Sequence, residues 1–202
     1  MKLFLTRHGQ TDWNIAGKYQ GQSDVPLNQT GILQAEALAK RLSAEKIDAI
    51  YSSDLSRAKD TAQAIANFHQ LHINTDLCWR ELNFGDWEGM NYKEMSAHSP
   101  ELFENWMKDS TNISTPNGES LKQLAHRVKT AFDEIKNKHK DQTVLVVSHS
   151  GALQALLATL LGIELNFYWQ FKISQASLSE LKVYEDSVVL NLLNDVNHLQ
   201  EI

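Results

Sequence analysis

The sequence is poor in cysteine and has no long apolar run. Cys78 is the only cysteine among 202 residues, which excludes an intrachain disulfide framework and any metal centre built from several thiolates. The apolar run over residues 152–161 falls well short of the roughly 20 residues that a membrane-spanning helix needs. Leu3–Leu5, near the start, is too short for the apolar core of a secretory signal. We therefore expect a soluble, cytoplasmic protein.

An excess of basic charge is also missing. The chain has 19 lysine and arginine residues against 25 aspartate and glutamate residues, and its formal net charge is -6 at pH 7. Nucleic acids and anionic membranes favour a basic surface, so neither is expected as a partner. Neither a Gly-x-x-x-x-Gly-Lys-Ser/Thr loop nor a Gly-x-Gly-x-x-Gly turn occurs, so nucleotide-driven and redox chemistry are not expected either.

Short apolar segments alternate along the chain with amphipathic ones. Leu3–Leu5, Ile47–Tyr51 and Val144–Val147 are typical of strands buried on both faces of a parallel sheet. Apolar residues recur at helical spacing over 35–42, 58–69 and 121–135, and the alternation over residues 181–192 predicts an antiparallel hairpin. The sequence therefore predicts an α/β fold of three layers, α/β/α, whose mostly parallel central sheet has an antiparallel edge near the C-terminus.

One segment does not follow this alternation. Residues from about 91 to 118 lack a clear strand and carry Tyr92, Phe103 and Trp106 among polar residues. This pattern fits a small helical cap inserted over one end of the sheet, and it fits an ordinary helical connection equally well. We expect one domain over residues 1–202, with the cap insertion at about 91–118.

Polar side chains follow the predicted strands, where ligands bind in open parallel sheets. The first strand leads into Arg7 and His8, the second towards Arg57, and the third into His149. Arginine presents a planar fork of donors to tetrahedral oxyanions, and a neutral histidine offers a ring nitrogen as a nucleophile. A helix beginning near Leu55 could add backbone N–H groups. The pattern predicts a phosphoryl-binding crevice.

Hydrolysis of a phosphate ester also needs an acid for the departing oxygen and a base for water. Glu81 is the candidate for both tasks, and the nearby Glu88 is its rival. Cys78 is not a candidate nucleophile, because Arg80 follows it too closely for a cysteine-phosphatase loop. Arg80 itself is expected to be structural.

Structural alternatives exist for several of these residues. Arg57 could be a surface residue paired with Asp54 or Asp60. His69 and His72 have metal-binding spacing on a helix but no evident third ligand, so we expect no metal site. Four aromatic residues could line a substrate pocket or pack in the core, namely Trp13, Trp87, Tyr92 and Trp106.

Taken together, these residues resemble the motifs of a known protein family. The sequence is similar to the histidine phosphatase superfamily, in its phosphoglycerate mutase-like branch, through four blocks in family order. The blocks are Arg7-His8-Gly9 with Thr11, Asn14, Gly21, Asp24, Leu27 and Gly31; Ser52 to Ala58; Glu81 to Gly89; and Val147 to Gly151.

The resemblance implies a role for each site residue. His8 would be phosphorylated, while Arg7, Arg57 and His149 hold the phosphoryl oxygens. Glu81 would protonate the leaving alcohol and then activate the water that cleaves the phosphohistidine. The same resemblance implies that Asn14 and Gln20 bind phosphate, and that no metal or other cofactor is needed.

The partner implied is a small-molecule phosphate ester, and the chain could be a monomer or a homodimer. The mutases of the branch carry extra chain between the second and third blocks and a longer C-terminal tail, so hydrolysis is expected here. Within the branch the sequence resembles the α-ribazole phosphatases, which implies α-ribazole 5′-phosphate and cobalamin biosynthesis. The motifs that carry this resemblance are Tyr19-x-Gly21-x-x-Asp24-x-Pro26-Leu27, Phe84-Gly85-Asp86-Trp87-Glu88, Pro116-Asn117-Gly118-Glu119 and Trp169-x-Phe171. A broad-specificity or sugar-phosphate phosphatase, a phosphoglycerate mutase and a phosphate-binding module without catalysis are the alternatives.

Overall fold

The computed structural model describes residues 1–200 and 202, with one six-stranded sheet between helices. The strands are β1 (Lys2–Arg7), β2 (Ala49–Ser52), β3 (Ile73–Thr75), β4 (Thr143–Ser148), β5 (Leu178–Val183) and β6 (Val188–Asp195). The α-helices are α1 (Asp12–Ile15), α2 (Gln29–Leu42), α3 (Ser56–His69), α4 (Tyr92–His98), α5 (Pro100–Lys108), α6 (Leu121–Lys138) and α7 (Ser150–Leu161). Short 3₁₀ turns lie at Leu77–Trp79, Gly85–Trp87, Leu165–Gln170 and Asn197–Leu199.

The strand order is β3-β2-β4-β1-β5-β6. The first four strands in this order pair in parallel, whereas β5 and β6 pair antiparallel at one edge. The predicted fold class is therefore confirmed, including the antiparallel edge. The sequence analysis did not predict β3, which has only three residues and no apolar run.

Alternating side chains of the central strands enter two separate cores. Leu3 and Leu5 of β1 face the core that contains α6 and α7, while Phe4 between them faces α2 and α3. All three side chains are essentially inaccessible to solvent. This two-sided burial explains why β1 has apolar residues in succession rather than in alternation, and it gives the three layers.

The segment predicted as a cap forms α4 and α5. Asn91 caps the first helix in a capping box with Glu94, and Pro100 occupies the first turn of the second, where its missing N–H costs nothing. Phe103 and Trp106 are buried, and both pack against the indole of Trp87. These contacts join the two helices to the core beside α6 and α7. The assignment of residues 91–118 as a cap within a single domain stays a prediction.

The apolar run over residues 152–161 lies in α7. This helix has 12 residues and ends at Gly162, whose φ of +69° suits a residue without a side chain. No helix in the described part of the chain combines the length and the apolar character needed to cross a bilayer.

Candidate active site

The carboxyl ends of β1, β4 and β2 lie together along the same end of the strands. Arg7, the last residue of β1, pairs with Ser148, the last residue of β4. Just beyond these ends, the His8 N–H donates to the Ser148 carbonyl at 3.0 Å, so that His8 and His149 follow neighbouring strands. A cavity of about 380 Å³ opens at these carboxyl ends. Six of the seven predicted site residues line it, namely Arg7, His8, Asn14, Gln20, Arg57 and Glu81.

His8 presents one ring nitrogen to the cavity. Its side chain is 3% exposed, and Nδ1 lies 2.7 Å from the carbonyl oxygen of Gly9. A carbonyl only accepts, so Nδ1 carries the hydrogen and Nε2 keeps the lone pair of the neutral ring. Burial lowers the pKa of His8 well below its usual value, and the charges of Arg7 and Arg57 lower it further. His8 is therefore a neutral imidazole with Nε2 available as a nucleophile.

His149 lies directly beside His8 but does not itself line the cavity. The ring centroids are 5.1 Å apart and the ring planes are inclined at 60°. His149 is completely buried, and neither of its ring nitrogens has a hydrogen-bond partner among the described residues. Burial lowers its pKa well below the usual value, with the charge of Arg57 as the next cause. Such an unpaired buried imidazole is costly and suits a ligand that supplies the missing partner.

Arg57 is a completely buried cation. It donates from Nη1 to the carbonyl of Ser23 at 2.7 Å and from Nη2 to that of Gly21 at 2.8 Å. Its Nε has no partner among the described residues. Burial lowers its pKa to about 10, so the guanidinium remains charged at neutral pH. Pairing with Asp54 or Asp60, the structural alternative, does not occur.

Arg7 provides a second positive charge. Its Nη1 donates to the carbonyl of Ile173 at 2.9 Å, and its buried Nε has no partner in the described structure. Burial lowers its pKa, against the opposing charge of Glu81. Within the described residues, no carboxylate oxygen lies within 4.0 Å of a guanidinium nitrogen of Arg7 or Arg57. The cavity therefore holds two cations without a direct counter-ion, an arrangement that attracts an anion.

Glu81 fills the N-terminal end of α7. Its Oε1 accepts from the backbone N–H groups of Leu82 at 2.9 Å and Ala152 at 3.1 Å, and its Oε2 accepts from Gly151 at 3.1 Å. The helix terminus favours a negative group at this point. A carboxylate is thereby fixed on the wall of the cavity that contains His8.

The two candidate carboxylates have different surroundings. Glu88 does not line the cavity. Its Oε1 accepts from the Gln22 N–H at 2.7 Å, and its Oε2 accepts from the N–H and the hydroxyl of Ser23 at 2.8 and 2.5 Å. Glu88 and Arg57 thus hold the same loop from two sides. Of the two carboxylates, Glu81 alone is placed to reach a ligand.

The predicted phosphate contacts Asn14 and Gln20 both line the cavity. The Asn14 Oδ1 accepts from the N–H and the hydroxyl of Thr11 in the capping box of α1, which leaves only its amide nitrogen for a ligand. Gln20 is 7% exposed, and its Oε1 has no partner among the described residues.

The expected contribution of backbone N–H groups to the anion site stays a prediction, and the first of these groups is not available for it. The helix that begins near Leu55 is α3, but the backbone N–H of its first residue, Ser56, donates to Asp24 at 2.8 Å, as does the Ser56 hydroxyl at 2.7 Å. The first N–H group of the helix is therefore already satisfied by a carboxylate rather than free for a phosphate.

The aromatic wall of the cavity was not predicted. Tyr19, Phe84 and Tyr168 line it. Burial raises the pKa of Tyr168, and the negative charge of Glu81 raises it further, which places the phenol near that carboxylate. None of the four aromatic residues that the sequence suggested lines the cavity. No spacing or motif distinguishes the residues that do.

Three further expectations concern residues outside the cavity. Arg80 forms a two-pronged ion pair with Asp54, at 2.7 and 2.5 Å, which fits its expected structural role. Burial raises the pKa of Cys78, with the charge of Asp76 as the next cause, so its thiolate is disfavoured. Among the described residues, no group of three or more His, Cys, Asp or Glu side chains could hold a metal ion.

The chain matches a known protein family along nearly its whole length. Residues 3–196 match the family model of the histidine phosphatase superfamily (branch 1). The chain is 38% identical to phosphoserine phosphatase 1 of Hydrogenobacter thermophilus over 100% of its own length and 95% of the relative's. It is 32% identical to the adenosylcobalamin/alpha-ribazole phosphatase of Escherichia coli, over 96% of each chain.

A solved structure shares the fold along nearly the whole chain. Bacillus stearothermophilus YhfR superposes with a TM-score of 0.92 at 31% identity, covering 98% of this chain and 99% of that one. Because the family model spans nearly the whole chain and these relatives match it along almost their full lengths, the chain belongs to the histidine phosphatase superfamily, branch 1, and is a phosphatase of that family.

Proposed function

We propose that the chain hydrolyses a small phosphate monoester through a phosphohistidine formed on Nε2 of His8. One observation carries the proposal. The carbonyl of Gly9 accepts the Nδ1 hydrogen at 2.7 Å, which aims the free Nε2 into a cavity that also contains Arg7 and Arg57. The lowered pKa of His8 keeps the ring neutral, and a protonated ring could not attack phosphorus.

The phosphoryl group would be held by the two guanidinium groups and by His149. The buried Nε atoms of both arginines have no partner among the described residues. The same is true of both ring nitrogens of His149. Phosphoryl oxygens would accept hydrogen bonds from the Nε–H groups of the two arginines and from the one ring nitrogen of neutral His149 that carries a hydrogen. As charge spreads over the oxygens in the transition state, the fixed cations would stabilise it.

Glu81 is the proposed acid and base. In the first step Nε2 bonds to phosphorus, the ester P–O bond breaks, and the proton of Glu81 passes to the departing oxygen. In the second step water bonds to phosphorus, its proton passes to Glu81, and the P–N bond breaks. His8 is then neutral again, and the products are an alcohol and inorganic phosphate.

Rapid quench with a ³²P-labelled ester tests the intermediate. We expect acid-labile, base-stable label on the wild-type protein and none on H8A. Lys129→Gln, on the exposed side of α6, is the matched control, and this variant should be labelled to the same extent as the wild type. Equal phosphate release by wild type and H8A would overturn the proposal. No phosphate release and no label on the wild type would instead favour the phosphate-binding module without catalysis.

Two candidates compete for the identity of the ester. The wall of Tyr19, Phe84 and Tyr168 suits the flat base of α-ribazole 5′-phosphate, the substrate that the motif similarity implies. Lys18 also lines the cavity, and its ammonium suits the carboxylate of phosphoserine. The 38% identity to a phosphoserine phosphatase favours this second candidate, against 32% for the alpha-ribazole enzyme.

Measured kcat/KM values separate the candidates. α-Ribazole 5′-phosphate, phosphoserine, 3-phosphoglycerate and a sugar phosphate should be compared on the wild type and on Lys18→Met. A preference for phosphoserine that Lys18→Met abolishes would select the amino-acid ester. A preference for α-ribazole 5′-phosphate unaffected by this change would select the cobalamin pathway, and a flat profile would select the broad-specificity alternative. Product analysis with 3-phosphoglycerate distinguishes hydrolysis from mutase activity.

A further inference from the structure

Arg127 makes an unusual set of contacts away from the cavity. It lies on α6, and its guanidinium donates to three main-chain carbonyls of one loop: Cys78 at 2.9 Å, Arg80 at 2.6 Å and Glu81 at 2.7 Å. Its side chain is 18% exposed and does not line the cavity.

Glu119 completes this arrangement. It accepts from the Nη2 and Nε of Arg127 at 2.5 and 3.1 Å, and its Oε1 also accepts from the backbone N–H of Asn83 at 2.8 Å. The pair therefore binds the loop on both sides of Glu81, through carbonyls before it and an amide after it. We name Arg127 and Glu119 the loop clasp.

The loop needs such support because it has no regular secondary structure. Between the 3₁₀ turns at Leu77–Trp79 and Gly85–Trp87, residues 80–84 belong to no helix or strand. Buried carbonyls without sheet or helix partners must bind elsewhere. A planar guanidinium satisfies two of them, and the Cys78 carbonyl in the adjoining turn, from fixed directions. A flexible ammonium could not do this equally well.

We propose that the loop clasp positions the Glu81 carboxylate for proton transfer, so that Arg127 and Glu119 act on catalysis without touching the substrate. The proposal rests on the proposed function, in which Glu81 is the acid. A displacement of about 1 Å in a catalytic group can reduce a rate by about a hundredfold. In the first step, which kcat/KM reports, the effect should appear only where the leaving group needs a proton.

Two esters of similar shape test this requirement. p-Nitrophenyl phosphate releases a weakly basic phenolate that departs without much protonation, whereas p-nitrobenzyl phosphate releases a strongly basic alkoxide. For Arg127→Lys we expect kcat/KM on the benzyl ester to fall by about ten- to a hundredfold, and kcat/KM on the phenyl ester by less than about threefold. Glu119→Gln should act in the same direction.

The controls separate positioning from stability. Lys129→Gln removes an ion pair on the same helix and should leave both rates unchanged. Glu81→Gln should show the same ester selectivity as Arg127→Lys, and the double variant should be little worse than Glu81→Gln alone. Circular dichroism and urea unfolding check that each variant is folded, and Glu119→Gln replaces Arg127→Lys if the latter is not.

The outcomes distinguish the two proposals. If Glu81→Gln is selective for the benzyl ester and the clasp variants slow both esters equally, the clasp proposal is wrong while the acid role of Glu81 stands. If Glu81→Gln itself shows no selectivity, the acid role fails and the clasp proposal fails with it. Additive losses in the double variant would also overturn the clasp proposal.

Discussion

The Glu81 carboxylate accepts a hydrogen bond from the backbone N–H of Gly151 at 3.1 Å. This contact joins the third sequence block to the fourth and fixes a carboxylate at the start of α7. A side chain at position 151 would place its Cβ 2.6 Å from Glu81 Oε1, closer than real Cβ contacts come. The glycine is therefore required by the carboxylate rather than by its own backbone conformation.

Gly151→Ala should reduce activity without loss of stability. Alanine favours a helix over glycine by about 1 kcal/mol, so α7 should not be weakened. The displaced carboxylate should lower kcat on p-nitrobenzyl phosphate at least about tenfold. Steady-state kinetics and urea unfolding measure the two effects. In a Glu81→Ala background the same glycine change should not lower kcat further. A further loss of kcat there would show that Gly151 affects catalysis by a route other than Glu81.

Glu88→Gln should behave differently from Glu81→Gln. The change weakens the acceptor for Gln22 and Ser23, whose loop also binds Arg57. Charge-assisted hydrogen bonds of this kind contribute about 1.5–3 kcal/mol, so the urea midpoint should fall and KM should rise several-fold. The ratio of rates on the two nitro esters should stay that of the wild type. A selective loss on the benzyl ester would make Glu88 the acid.

Arg57→Lys should affect both structure and function. Lysine keeps the charge but cannot donate to the Gly21 and Ser23 carbonyls in one fixed fork. Leaving a buried acceptor unpaired costs about 1–3 kcal/mol, which should appear in urea unfolding. kcat/KM should fall by about a hundredfold or more. The exposed Arg41 gives the control, because Arg41→Lys should change neither quantity.

Because His8 and His149 are buried, the free energy of unfolding should decrease in weak acid. Burial lowers the pKa of His149 well below its unfolded value of about 6.5. As the pH falls below that value, the unfolded chain binds a proton and the folded protein does not, so unfolding becomes easier. Each such histidine can contribute at most about 1.4 kcal/mol per pH unit.

Urea unfolding at pH 7.5 and 5.5 measures this slope. His149→Asn should reduce the difference in the free energy of unfolding between pH 7.5 and pH 5.5, relative to the wild type. The same change at the exposed His126 should leave this difference unaltered. An unchanged slope in His149→Asn would mean that His149 takes up a proton in the folded protein as readily as in the unfolded chain.

The sequence predicted the elements whose patterns repeat and the residues that lie in dense motifs. β1, β4 and α6 have strong apolar patterns, and His8 lies in a distinctive tripeptide. β3 was missed because its three residues contain one apolar side chain. Arg127 was missed because its role depends on a loop nearly fifty positions away that only the folded chain brings close.

The same reason explains the aromatic residues. Trp87 lies in the third block and was a candidate pocket residue, whereas Tyr168 lies in none of the four blocks and was not considered. In the folded chain Trp87 is buried against Phe103 of α5, whereas Tyr168 lines the cavity.

The position of β1 in the sheet has a consequence for how the protein reaches its folded state. Leu5 pairs with Val146 on one side and with Ser179 on the other, so both neighbours of β1 lie more than a hundred residues along the chain. Such distant contacts slow folding, because the intervening chain must be ordered before they form. A fragment ending before β4 would leave the strand that carries Arg7 with two bare edges. Split at the turn before β4, the protein should regain enzymatic turnover only when the two pieces recombine.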